Sequence, residues 1–320
     1  MPRLLRLGLL GTGVAARELY APAFRDLKGK VRVVACANRT RKKAEAYAKA
    51  NDVPTVVDSA EELLLLPEVD AIMISLPIDQ QPSYVLKALR AKKPVLSEKP
   101  IAPNVPEGRR LVKAAAKYSV PWLVGENFAF MSHTMKLERW LAAGKLGDVR
   151  LVQVIQMSRM NESNPYFNTD WRANPAHVGG FIVDAGVHLA NVVRRCFGVP
   201  NQVRGFVGAF DAKLPPIDTA VAVMRFESGA LGTWSSCFCA EYDGPILRVF
   251  GSKANAVLTW DSVTLKPHQG SEKTYRLEKN SFTAQFEHFF DVVLRGKPVR
   301  ITPEEALADL AFMERLCLPK

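Results

Sequence analysis

Three groups of residues in this 320-residue chain have the types and spacing for chemistry. The first is Gly11-Thr12-Gly13-Val14-Ala15-Ala16, directly after an apolar run. Gly11 permits a tight turn, Gly13 lets the backbone approach a pyrophosphate, and Ala16 takes a third small position where a helix would meet a strand. A helix opening there would turn free N–H groups and its positive dipole end toward the phosphates. Gly11, Thr12, Gly13, Val14 and Ala15 are therefore candidate dinucleotide contacts. The second group is Asn38-Arg39-Thr40, after the next apolar run. A carboxylate at that point would accept hydrogen bonds from a ribose 2′-hydroxyl. This chain has none there, and Arg39 offers a planar, permanently charged fork suited to a 2′-phosphate, with Asn38 and Thr40 as neutral donors. NADP is the expected cofactor, with NAD as the alternative; Arg41, Lys42 and Lys43 read as the solvated face of a following helix. The third group is Asp184 and His188, which share one face if the segment is helical. Alone, each has an ordinary explanation: a carboxylate at a helix start complements the dipole, and a partly buried histidine is common.

The surrounding pattern supplies elements to hold these groups. Residues 4–10, 31–37, 71–76, 94–96 and 121–124 are short apolar runs that predict buried parallel strands. Segments 15–27, 41–50, 83–91 and 106–118 predict helices between them. Such alternation implies βαβ units and a doubly wound parallel sheet of the Rossmann kind. After Gly125 the grammar changes. A helix over 131–143, a strand over 149–157, a polar aromatic loop and a helix over 182–197 are followed by successive strands to about residue 277, with turn signals at Glu227-Ser228-Gly229, Asp243-Gly244 and Gly251-Ser252. This predicts an α+β domain on a large, mostly antiparallel open sheet, one face covered by helices. Helices over 282–295 and 303–316 close the chain, the last announced by Thr302-Pro303-Glu304-Glu305. The expected domains are 1–122, for the dinucleotide, and 123–320, for substrate binding and oligomerisation.

Composition is that of an ordinary globular protein, 48% hydrophobic and 23% charged. The net charge of +11 is concentrated early: residues 1–122 carry 21 Lys+Arg against 12 Asp+Glu, and the remainder 22 against 20. Dispersed cations without interleaved aromatics argue against nucleic acid, and a polyanionic cofactor accounts for them better. No apolar run is long enough to span a bilayer, and the N-terminus lacks a signal peptide's apolar stretch, so a soluble cytoplasmic protein is expected. Five scattered cysteines read as reduced, packed thiols. Cys237-Phe238-Cys239 would put two sulfurs on one face of a strand, which leaves a redox or metal reading open, but no His or Cys pair stands near at zinc-ligand spacing. No metal is expected.

Two further motifs are Ser97-Glu98-Lys99-Pro100, at the fifth strand, and Gly179-Gly180-Phe181-Ile182-Val183-Asp184-Ala185-Gly186-Val187-His188. With the glycine turn they resemble the Gfo/Idh/MocA oxidoreductase family, which includes glucose–fructose oxidoreductase and inositol dehydrogenases, over essentially the whole chain. The resemblance implies that Lys99 transfers a proton beside the substrate carbonyl or hydroxyl, that His188 bonds the same oxygen, and that Asp184 orients the substrate. It implies that Glu98 contacts the nicotinamide ribose and that Ser75, Leu76, Pro77, Gln81, Lys99 and Asn127 complete the cofactor contacts. It also implies that the second sheet serves as a homodimer or homotetramer interface. The chemistry is consistent: oxidising an alcohol by hydride loss needs a base for the hydroxyl proton, and reduction needs the corresponding acid.

The chain departs from many relatives where an Asn-x-x-His follows the fourth strand: here Asp79 and Gln81 stand at those positions. Asn191 stands where many have Asp. On the substrate side, Glu126, Arg172 and His177 are the candidates beside Lys99, Asp184 and His188, and the polar aromatic loop 159–172 suits a polyhydroxylated ring. A small-molecule dehydrogenase or reductase acting on a sugar-like hydroxyl or ketone is the expected function. The competing expectation is a catalytically inactive NAD(P)-binding regulator of the same fold.

Overall fold

The computed structural model describes residues 4–318. The chain divides into two compact units, residues 1–127 with 280–307, and residues 128–279 with 308–320.

The first unit is built on six parallel strands in the order β3-β2-β1-β4-β5-β6: β1 (Leu5–Leu10), β2 (Val31–Ala37), β3 (Thr55–Val57), β4 (Ala71–Ile74), β5 (Val95–Glu98) and β6 (Trp122–Gly125). Their aliphatic runs are buried almost without alternation, as expected of a sheet covered on both faces. Between them run a π-helical turn (Ala16–Tyr20) continuing into α1 (Ala21–Asp26), then α2 (Arg41–Ala50), α3 (Ala60–Leu65), α4 (Gln81–Arg90) and α5 (Val105–Ala115). Chain order reverses between β1 and β4, the switch point at which such sheets hold ligands.

Two strands or helices of the first unit are not read from the sequence. Strand β3 is a three-residue edge strand, and α3 is only six residues long. The signal for α3 was present: Ser59 Oγ accepts the Glu62 N–H at 3.1 Å and donates to its carboxylate at 2.9 Å, a reciprocal cap.

The sequence reading ended the first domain at Trp122, yet α9 (Ser281–Arg295) belongs to the first unit. Its aromatic side chains account for this. Phe282 and Phe286 lie with ring centroids 5.8 and 5.4 Å from Tyr20, and Phe286 lies 4.5 Å from Phe24. Thr283 Oγ1 donates to Asp26 at 2.9 Å. Asn280 caps the helix by accepting the N–H groups of Phe282 and Thr283.

The second unit carries eight strands in the order β14-β13-β12-β11-β7-β10-β9-β8. These are β7 (Val149–Met157), β8 (Gln202–Gly208), β9 (Thr219–Arg225), β10 (Leu231–Cys237), β11 (Leu247–Gly251), β12 (Ala254–Leu258), β13 (Ser262–Pro267) and β14 (Lys273–Arg276). Every neighbouring pair is antiparallel except β7 with β10, as the mostly antiparallel expectation requires. Alternate residues are buried: on β10, Trp234 is enclosed and meets Phe312 edge-on at 5.6 Å. Helices α6 (Ser132–Ala142), α7 (Asp170–Ala173) and α8 (Gly180–Phe197) belong to this unit. Helix α10 (Pro303–Cys317) starts in the first unit and ends in the second; Thr302 and Glu305 cap it reciprocally at 3.0 and 3.2 Å. The sheet's other face leaves Phe206, Val221, Val223 and Leu231 exposed.

Candidate functional site

In the first unit, the glycine turn leaves β1 and enters the π-helical turn. Gly11 has φ +96°, and a Cβ there would stand 2.1 Å from the Ser75 carbonyl oxygen, so only glycine fits. Gly13 faces open space, with nothing within 4 Å of an added Cβ. The Gly11 N–H donates to Ala37 O at 2.9 Å and the Thr12 N–H to Asn38 Oδ1 at 3.2 Å. These bonds tie the glycine turn to the β2–α2 turn. Asn38 thus spends its acceptor on the protein, and its Nδ2 donates to Thr40 O at 3.2 Å. Arg39 and Thr40 are exposed, and Arg39 makes no hydrogen bond or ion pair among the described residues.

The basic run beyond divides by role. Arg41 is held by Glu45 at 2.8 Å and by Asp58. Lys43 instead lines a depression of about 480 Å³ with Arg17, Arg25 and Tyr47, floored by Ala21, Ala46 and Ala50. Arg17 also donates to Thr12 O at 3.2 Å, at the glycine turn itself. The sequence reading did not name Arg17 and gave Lys43 to a solvated helix face. Arg17, four residues beyond Gly13, was the signal available.

Two buried polar groups at this edge have no partner among the described residues: Thr12 Oγ1, and both amide atoms of the Gln81 side chain at the start of α4. Buried polar groups are ordinarily satisfied. Orphans beside an open glycine turn and a free arginine fit a bound dinucleotide. Ser75, Leu76 and Pro77 follow β4 and are half-buried. At the end of β5, Glu98 Oε2 accepts the Lys99 N–H at 3.1 Å, and both side chains are half-buried. Beyond β6, Glu126 and Asn127 are buried, and Asn127 Nδ2 donates to Ser281 Oγ at 2.8 Å.

In the second unit, the Gly179-Gly180 turn opens α8 with both residues at positive φ. A Cβ on Gly180 would lie 2.3 Å from the Pro215 carbonyl oxygen, so the glycine lets the segment before β9 close over the helix start. Asp184, one turn in, is buried and accepts from Arg172 Nε at 2.7 Å. The Arg172 guanidinium lies over Trp171 at 3.9 Å and Tyr166 at 4.8 Å, so the aromatics of the loop serve to seat a cation. The loop also contains the short helix α7, absent from the sequence reading and carrying both Trp171 and Arg172. His177 is buried, with Nε2 3.2 Å from Gly180 O and its ring 5.8 Å from Trp171. His188 is half-buried and stacks on Phe128 at 4.5 Å and 14°. Phe128 in turn meets the half-exposed Trp260 edge-on at 6.0 Å. The sequence reading missed Phe128 and Trp260, since no local pattern links three residues so far apart. Asn191 donates to Asp309 at 2.7 Å and Arg194 to the same carboxylate at 2.5 Å, which binds α8 to the middle of α10.

Comparison with known proteins agrees with these features. Residues 5–126 match the oxidoreductase family with NAD-binding Rossmann fold, and residues 134–257 match the GFO/IDH/MocA C-terminal domain. The crystal structure of an oxidoreductase from Thermotoga maritima superposes with a TM-score of 0.93 at 33% identity, covering 99% of this chain and 97% of that one. A dehydrogenase of Fusarium mangiferae is 31% identical over 97% of this chain and 95% of its own. The bovine trans-1,2-dihydrobenzene-1,2-diol dehydrogenase is 27% identical over 79% of this chain and 74% of its own. Matched by models of both the N- and C-terminal domains and carrying the glycine turn that its first unit folds around, the chain is a member of the Gfo/Idh/MocA family of NAD(P)-dependent oxidoreductases.

Proposed function

We propose that this protein is an NADP-preferring dehydrogenase or reductase. Its substrate is a sugar-like, polyol or related small ring compound, with Lys99 and His188 handling the proton and Asp184 orienting the substrate. The observation that carries the cofactor preference is the β2–α2 turn, where Arg39 is exposed and unpaired and no carboxylate stands. Arg39 and Thr40 would take the 2′-phosphate, with Asn38 bracing the turn. Gly11 to Ala15 would take the pyrophosphate, and Ser75, Leu76, Pro77 and Gln81 would line the switch point. Glu98 and Asn127 would reach the nicotinamide ribose. When bound, the nicotinamide supplies the hydride donor or acceptor.

The chain's own residues do the rest. The Lys99 ammonium donates a proton to the substrate oxygen on reduction, and the amine takes it back on oxidation. His188, its ring fixed against Phe128, hydrogen-bonds the same oxygen. Arg172 holds Asp184 in place at 2.7 Å. Glu126 and His177 are the remaining candidates on the substrate side. A ring-shaped diol or sugar is supported by the vicinal cyclic diol in the bovine relative's name. The exposed apolar strip of Phe206, Val221, Val223 and Leu231 supports self-association as a homodimer or homotetramer. A small-molecule enzyme working in the cytoplasm, with no nucleic-acid partner, fits this reading. No helix among the described residues is long and apolar enough to cross a membrane.

The test is turnover on a panel of sugars, cyclitols and cyclic diols with NADP and NAD, in the wild type, Lys99→Ala and Arg39→Ala. Lys99→Ala lowers kcat by about 10²–10⁴-fold, the usual worth of a general acid–base group, and weakens NADPH binding far less. Arg39→Ala weakens NADPH by roughly tenfold or more and NADH little, because one charge-assisted contact is lost. If NADPH binds tightly, nothing on the panel turns over, and Lys99→Ala changes nothing, the inactive-regulator reading replaces this one.

A further inference from the structure

Strand β10 ends at Cys237, and the chain bends at once through residues 238–240. In a straight strand, side chains two apart stand side by side on one face. Here the bend brings the Cys237 and Cys239 sulfurs to 3.4 Å. Both cysteines are reduced and partly accessible, unlike the buried Cys36 and Cys317. Thr219, across the ladder on β9, has its hydroxyl 3.3 Å from Cys237 Sγ and 2.8 Å from Asp218 Oδ1, and Cys239 Sγ lies 3.7 Å from the same carboxylate oxygen.

The two thiols are unequal. Burial and the Asp218 carboxylate oppose ionisation of Cys237, but the Thr219 hydroxyl, sharing its one proton with that carboxylate, and the backbone N–H and thiol of Cys239 donate to its sulfur and hold its pKa below the ordinary thiol value. Burial, and donation of its own proton to Cys237, push Cys239 up to about 11. A more readily ionised thiol 3.4 Å from one that holds its proton is the arrangement of an attacking and a resolving cysteine.

We propose that Cys237 and Cys239 form a reversible dithiol–disulfide site, oxidised by hydroperoxides. The Cys237 thiolate attacks the distal peroxide oxygen. An S–O bond forms, the O–O bond breaks, and the alkoxide or hydroxide released takes a proton from water, leaving Cys237 as a sulfenic acid. The Cys239 sulfur then attacks Cys237 Sγ; an S–S bond forms and the oxygen departs as water, carrying the Cys239 proton. Two electrons pass from the sulfur pair to the peroxide, so that two thiols and one hydroperoxide give one disulfide, one alcohol (or water) and one water.

The bend that carries this pair is hydrogen-bonded to the root of the polar aromatic loop. Ser158 N–H donates to Cys237 O at 3.1 Å and Met160 N–H to Phe238 O at 2.8 Å. Phe238 N–H donates to Asp218 O at 2.9 Å, while Asp218 Oδ2 accepts the N–H groups of Phe210 and Asp211 at 2.6 and 2.7 Å. Oxidation that re-aims Cys239 therefore pulls on two loops at once.

The experiment treats the native full-length protein with stoichiometric hydrogen peroxide, quenches with a thiol-alkylating reagent and maps peptides by mass. The expected result is a loss of about 2 Da on the peptide holding both cysteines, with thiols falling from five to three per chain and returning with dithiothreitol. Cys239→Ser leaves Cys237 as a sulfenic acid trapped by dimedone, and Cys237→Ser abolishes peroxide consumption at this site. Thr219→Val, which keeps both sulfurs and the strand, slows oxidation by several-fold. Two results overturn the proposal. One is full alkylation of both cysteines after peroxide has oxidised the protein's methionines. The other is over-oxidation of Cys237 to sulfinic acid while Cys239 is alkylated. Both readouts are independent of turnover, so failure of the dehydrogenase reading leaves them intact.

Discussion

The two sheets of this molecule manage their faces in opposite ways. In the first unit, strands such as β4 and β6 are buried along their whole length. In the second, β9 and β10 bury every other residue and leave Val221, Val223 and Leu231 exposed. The first sheet is thus closed to everything except a ligand at its switch point, whereas the second has a free face. The functional groups follow the same division. The candidate dinucleotide residues of the first unit are fixed by backbone turns, while the substrate-side candidates Asp184 and His188 are held by side chains brought from elsewhere, Arg172 and Phe128. A turn-built site tolerates little change of backbone; a side-chain-built site fails when one partner is removed.

The largest expected effect lies in the second unit. Arg172→Met takes a charged partner from the buried Asp184 and should lower stability by about 3 kcal/mol, the lower end for a broken buried ion pair, measured by urea unfolding. The double variant Arg172→Met, Asp184→Leu recovers much of that loss; a double variant as unstable as the single one would show that the pair is not the cause. Next comes Gly11→Ala, which forces a Cβ against Ser75 O and should cost about 2–3 kcal/mol together with cofactor binding. Gly13→Ala meets nothing and should be nearly neutral in the cofactor-free protein while still weakening NADPH. Equal destabilisation by both substitutions would mean the turn is not built as described.

The open face gives the third test. Val221→Glu with Val223→Lys should leave the fold unchanged by circular dichroism and reduce the solution mass by light scattering to that of one 35.4 kDa chain. The smallest effect is a pH dependence. His133 on α6 is fully buried, and burial lowers its pKa. With the unfolded value at about 6.5, the neutral ring is favoured in the fold, so its contribution is complete above that pH and is lost as pH falls, by at most about 1.4 kcal/mol per pH unit. His288 on α9 is shifted down by burial in the same direction, so each unit carries one such group. His133→Phe should flatten the slope between pH 6.5 and 5, and an unchanged slope would assign it to His288.

The sequence was most informative where structure is local. The glycine turn, the parallel alternation, the end of β7 and the capped start of α10 were all legible, because each is specified by residues within a few positions of one another. Legibility stopped where a partner is distant. Arg172 could be named as a candidate, but not as the cation of Asp184 seated on two aromatic rings. His177 could be named as well, though not its contact with the Gly180 carbonyl. Arg41, Lys42 and Lys43 looked alike as a run, and only packing separated Arg41, spent on Glu45 and Asp58, from Lys43 beside Arg17. Nothing local in 282–295 told which unit its phenylalanines would join.

That last feature bears on how the protein is made. Tyr20 is fully enclosed, yet two of the rings that enclose it, Phe282 and Phe286, are translated some 260 residues later. At ordinary rates of about 5–20 residues per second, the nascent first unit waits roughly ten seconds to a minute with an aromatic surface uncovered. Its early strands therefore wait with that surface open, and the emergence of α9, rather than the synthesis of its own sheet, completes the unit.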